Sequence, residues 1–134
     1  MLSKEIEREI MRTFEAAPLQ NGFFHPSEEI ILKYKYFNTT TENIQVILAI
    51  LTTITHNDIK DINKVEIAKQ YLNHEDLEVR DYAISVFETI VESDNMKDAK
   101  ETIEILENSG KDSVKYIEDY KRQVIKDIKE NIGC

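Results

Sequence analysis

Residues 71–90 read YLNHEDLEVRDYAISVFETI: an apolar pair, Tyr71 and Leu72, then a polar turn, NHEDLE, then Val79-Arg80 opening onto Ala83, Val86 and Ile90. An acid beside a helix start meets the positive end of the backbone dipole, so Asp76 should open a helix whose first inward residue is Val79. One helix therefore ends, and the next begins, within a single short turn.

The same helical period extends outward in both directions. Apolar residues recur at three and four, no run of strict alternation appears, and the expected fold is all-α. Glycine and proline number only three and two, and both prolines fall with Gly22 in APLQNGFFHPSEE, the one obvious loop. A first helix is expected over 3–16, with Leu2, Ile6, Ile10 and Phe14 on one side. A second starts at Pro26 with the acidic turn Ser27, Glu28 and Glu29, and it buries Ile30, Ile31, Tyr34 and Phe37. Thr39 precedes Glu42 by three residues, the spacing of a capping box, and opens NIQVILAILTTI. That third helix is apolar almost all round, leaving only Glu42, Gln45, Ala49, Thr52 and His56 for water. Further helices are expected over 58–72, 76–92 and 95–108. After a break at Gly110, a last one over 112–132 carries Val114, Ile117, Val124, Ile125 and Ile128 inward. The total is about seven.

A chain of 134 residues suits one domain, 1–134, with a core that needs no staples. With 41% hydrophobic and 32% charged residues, a soluble globular protein with a strongly ionic surface is expected. No run approaches the ~18 to 20 apolar residues of a membrane span, and MLSKEIEREIMRTF lacks the unbroken apolar core of a secretory signal. The expected location is the cytoplasm. The single cysteine, Cys134, can form no internal disulfide, stands too late for a prenylation box, and reads as a reduced tail residue.

Internal repetition separates a bundle from a stack of hairpins. At a shift of 35 residues Val79, Tyr82, Ala83 and Val86 fall on Ile44, Ile47, Leu48 and Leu51, while Val79 and Tyr82 fall on Val114 and Ile117 in the other direction. Residues 59–92 resemble a HEAT repeat: a first helix ending in leucine, a turn with Asp76, and a second helix beginning Val79-Arg80 and continuing with Ala83, Val86 and Ile90. The resemblance implies a stack of α-α hairpins, with a compact irregular helical bundle as the alternative. In HEAT repeats the Asp and Arg can form a ladder between neighbours. Here Thr41 and Lys111 take the place of Asp76, and Gln45 and Lys115 that of Arg80, so no continuous ladder is expected.

Charge is the main functional clue. The formal balance is −9, and residues 75–107 hold eleven acids against three bases, a local −8. Glu78, Asp81, Ser85, Glu88 and Glu92 repeat at three and four opposite the apolar side of the expected 76–92 helix. The HEAT resemblance puts second helices on the concave surface, which would make this stripe a binding face for a cationic protein. Acid-rich surfaces also serve solubility alone. Tyr116 and Tyr120, four apart on the last helix, are candidate contact anchors beside the stripe, although tyrosines also sit at core edges with the hydroxyl in water.

No catalytic, metal or cofactor site is expected. His25, His56 and His74 lie near loops, no His-x-x-x-His or Glu-x-x-His pair occurs, and no His-Asp dipeptide suggests a helical metal phosphohydrolase. NSGKDS lacks the first glycine and the strand of a phosphate loop, and Asn38-Thr39-Thr40 fits a glycosylation pattern by chance. HEAT-like DNA glycosylases would need a basic groove, whereas carboxylates repel phosphate, so no nucleic-acid partner is expected. Size, acidity and a charged face are similar in general character to bacterial immunity proteins of contact-dependent growth-inhibition systems, which cover the active site of a cognate toxin, often a cationic nuclease. The alternatives are a HEAT-like adaptor or scaffold subunit and a helical enzyme with a non-obvious site.

Overall fold

The computed structural model describes residues 42–56 and 63–133, together with Lys4, Glu5 and Arg8. The described residues are helical with turns between, and no strand occurs among them. Among the described residues five helices are complete, where the sequence predicts about seven; of the first expected helix only Lys4, Glu5 and Arg8 are described, and they are helical, while the second expected helix, the loop before it and Thr39 lie outside the described residues. The chain divides into two compact units, Met1–Asn63 and Lys64–Cys134.

In the first unit, α1 spans Ile44–His56. The capping residue is Asn43, whose Oδ1 accepts from the amides of Gln45 and Val46 at 3.1 and 3.3 Å. Glu42 precedes this cap and lies outside the helix, and Thr39, the other half of the expected box, lies outside the described residues. Val46 through Leu51, Thr53 and Ile54 are buried, as an all-round apolar helix requires. Ala49, expected on the watered strip, is buried too, while Gln45 and His56 are exposed. The hydroxyls of Thr53 and Thr55 donate to the carbonyls of Ala49 and Leu51 at 2.8 and 2.7 Å, which lets an enclosed helix carry them.

The second unit holds α2 (Lys64–Tyr71), α3 (Leu77–Glu88), α4 (Met96–Asn108) and α5 (Lys115–Asn131). Asn63 is already outside the helix, so α2 begins later than the expected residue 58. The turn after it is built locally: His74 Nδ1 accepts the amide of Asp76 at 3.0 Å, and Asp76 caps α3 by accepting the amide of Val79 at 3.0 Å. Val79, Ala83, Ile84, Val86 and Phe87 are buried along α3. The helix stops at Glu88, four residues short of the expected end. Thr89, Ile90 and Val91 form a β-branched run that crowds helical backbone, and their amides bond back three residues, to Val86, Phe87 and Glu88. Asn95 caps α4 by accepting the amide of Asp98 at 3.1 Å. Gly110, with φ +82°, turns the chain out of α4 in the left-handed conformation that glycine tolerates.

Packing pairs α2 with α3 and α4 with α5, and it stacks α2 on α4 and α3 on α5. Two hairpins thus lie one on the other in two layers. The inner side of α5 is Ile117, Val124 and Ile128, with Val114 and Ile125 only half-buried.

Polar groups join the hairpins at one end. Arg80 donates from Nε to Asp112 Oδ2 at 2.9 Å, and its Nη1 reaches the carbonyls of His74 and Glu75 at 3.0 and 3.1 Å. The carboxylate facing Arg80 is one residue past Lys111, the partner position in the 35-residue register. Asp112 also accepts the amide of Val114 at 2.9 Å, so the backbone turns there and α5 begins at Lys115 rather than at Asp112.

Candidate functional site

Stacking of α3 on α5 brings together five residues singled out in sequence: Asp81, Ser85 and Glu88 from α3, and Tyr116 and Tyr120 from α5. With Asp119 and Gln123 they line an open groove of about 550 Å³. Each helix supplies its members at spacings of three and four, so each set rises along one side of its own helix. Glu78 is exposed in the first turn of α3 and does not line the groove. Glu92 stands in the turn after the helix has ended, exposed and also outside the groove, because the β-branched run stops α3 at Glu88.

The tyrosines bond to the acids. Tyr116 donates its hydroxyl to Asp81 Oδ1 at 3.3 Å, and Tyr120 donates to Glu88 Oε2. Ser85 Oγ lies 3.1 Å from the Tyr120 hydroxyl and donates to the carbonyl of Asp81 at 3.2 Å. The two rings tilt against each other at 34° with centroids 6.4 Å apart. Tyr116 is 60% exposed, one of the largest apolar surfaces on view among the described residues.

Burial first, and then the bond to Glu88, raise the Tyr120 phenol well above its ordinary range. The charge of Asp81 is the main cause that raises Tyr116, helped by burial, the hydrogen bond and Glu88. Both phenols keep their protons at neutral pH and serve as donors to carboxylates. Six ion pairs occur among the described residues, and none includes Asp81 or Glu88. Their negative charge is held in place by neutral donors and is left uncompensated, an arrangement suited to receiving an external cation.

A second polar centre lies under the turn before α5. Glu118 and Lys121 are buried on that helix, 7% and 5% exposed. Glu118 accepts the amide of Asp112 at 2.9 Å and pairs with Lys121 at 3.1 Å and Arg122 at 2.8 Å. Burial works to raise its pKa, but the Asp112 amide, Arg122 and Lys121 together outweigh that and lower it from 4.5 to about 2. Lys121 also donates to Ser109 Oγ at 2.9 Å and to the Gly110 carbonyl at 2.5 Å. Neither residue is among the inward positions expected of the last helix, yet Lys121 stands four after Ile117 and three before Val124, in the buried spacing.

On the other layer, Lys69 and Leu72 at the end of α2 and Glu101, Glu104 and Ile105 of α4 border a smaller groove of about 360 Å³. Nearby in sequence, the Thr102 hydroxyl is buried without a hydrogen-bond partner. His56 is exposed at the end of α1, and His25 lies outside the described residues. Among the described residues no group of three or more His, Cys, Asp or Glu could hold a metal ion, and no helix is long and apolar enough to cross a membrane. Compared with known proteins, the chain matches no family model, no curated protein and no solved structure.

Proposed function

We propose that this chain is a non-catalytic, HEAT-like protein-binding module of the cytoplasm, and within that class an immunity protein. It neutralises a cationic toxin, such as a nuclease, by covering the toxin's active site with the groove between α3 and α5. The observation that carries the reading is the meeting of Asp81 and Glu88 with Tyr116 and Tyr120. Acids meant only for solubility need no aromatic companions, whereas exposed aromatics among unpaired carboxylates are what a basic partner binds. Support for the HEAT-like part comes from the two-layer hairpin stack and the Arg80–Asp112 pair that joins its hairpins.

The test is to isolate the protein with its partner and to reverse two charges together, Asp81→Lys with Glu88→Lys. Association should be fast at low salt and slow sharply as ionic strength rises, because steering acts over a Debye length of ~8 to 10 Å. The double reversal should weaken the complex by at least ~2 kcal/mol while far-ultraviolet circular dichroism stays helical. In a cell facing the toxin, protection should disappear although the protein is still made. Unchanged affinity and full protection would place the binding face elsewhere.

A second reading, an adaptor or scaffold subunit, draws on the groove bordered by Leu72 and Ile105. It lies on the α2–α4 layer, so two partners could be held at once. A ternary complex that loses one partner on Ile105→Glu and the other on the α3 reversal would favour it.

A further inference from the structure

We infer that the groove between α3 and α5 recognises an arginine side chain of the partner, in preference to lysine; this rests on the protein-binding reading above. Three features converge. Among the described residues, Asp81 and Glu88 each receive one tyrosine hydroxyl, on Oδ1 and Oε2, and the second oxygen of each has no protein donor. A carboxylate has room for about four hydrogen bonds, so each retains open acceptor positions whose orientation the tyrosine already restricts. Beside them stands Tyr116, with most of its surface open to solvent and its ring tilted 34° from that of Tyr120.

A guanidinium matches this set better than an ammonium does. It is flat and weakly hydrated, lies on an aromatic face, and presents several N–H donors in one plane to carboxylates at its edge. Lysine offers a compact, strongly hydrated point charge that gains little from the ring. The third carboxylate of the groove, Asp119, is already paired with Lys115 at 2.7 Å, so the incoming cation is drawn toward Asp81 and Glu88. Both of those oxygens come from α3 and the ring from α5, so the site exists only where the two hairpins stack.

The experiment titrates the full-length protein with acetylated Gly-Arg-Gly-Arg-Gly amide and with its lysine counterpart, following the ring resonances of Tyr116 and Tyr120 by NMR. The arginine peptide should bind about tenfold tighter than the lysine peptide and shift both rings. Tyr116→Phe should keep that preference, since the ring stays, and Tyr116→Ala should abolish it; residue 116 is exposed, so neither change threatens the fold. Equal binding of the two peptides, or a preference that survives Tyr116→Ala, overturns the inference. Should the natural partner be lost on reversing Asp81 and Glu88 while the peptides bind equally, the arginine inference falls and the protein-binding reading stands. The opposite pattern, arginine preference with a partner indifferent to the reversal, keeps the arginine site and removes the role proposed for it.

Discussion

Replacing Glu118 by glutamine tests whether the buried ion cluster of α5 holds the second hairpin together. Glutamine keeps an oxygen for the Asp112 amide but removes the charge facing Lys121 and Arg122. The side chains of Glu118 and Lys121 are only 10% and 6% exposed, so Lys121 would be left with a buried charge and no carboxylate. Breaking a buried pair from one side costs ~3 to 5 kcal/mol. Lys121 retains Ser109 and the Gly110 carbonyl, and Arg122 is free to turn to water, which reduces the expected loss to about 2 kcal/mol. The pKa gives an independent figure: a fall from 4.5 to about 2 corresponds to at most ~3 kcal/mol, and about 2 after discounting for solvent screening. The sign follows from a folded pKa below the unfolded one. Glu118 stabilises fully above about pH 4.5, and the contribution is lost as pH falls toward 2. Urea denaturation followed by circular dichroism should show Glu118→Gln shifted by roughly 1 to 2 M at pH 7. The gap should hold at pH 5 and shrink to roughly half or less at pH 3. An unchanged midpoint at pH 7, or a gap that stays constant to pH 3, would refute the reasoning.

Phe87 is fully buried on α3, so Phe87→Ala should destabilise by ~3 to 5 kcal/mol through lost transfer energy and the cavity left behind; a denaturant midpoint that stays put would put the ring on the surface. Arg80 and Asp112, with side chains 13% and 10% exposed, should show a coupling of ~1 to 3 kcal/mol in a double-mutant cycle of Arg80→Ala and Asp112→Asn, and additive effects would mean the pair does not join the hairpins.

Local pattern determined a definite part of this protein. The helical period of three and four, the Asp76 and Val79 start, and the inward positions Val79, Ala83 and Val86 on α3 could all be read directly. Each depends on residues within a turn or two of one another, where backbone geometry alone sets which side chains share a face. Boundaries were less legible: α3 stops at Glu88 because β-branched side chains at 89–91 crowd the backbone, and α5 starts late because Asp112 is held by Arg80. Those outcomes are contests between local preferences, and the tertiary contact decides the second. The groove itself needed the fold. Tyr116 meets Asp81, and Tyr120 meets Glu88, across separations of 35 and 32 residues that no helical period relates, and the meeting depends on the register in which one hairpin stacks on the next. Lys121 and Glu118 show the same limit from the inside. In sequence the period places Lys121 on the inward side of α5, but nothing there marks Glu118 as buried or supplies either charge with partners. They are buried because the Ser109–Val114 turn folds over them and supplies an amide, a carbonyl and a hydroxyl. Period assigns a residue to a face, whereas the value of a charge there is set by what the neighbouring chain brings within hydrogen-bonding distance.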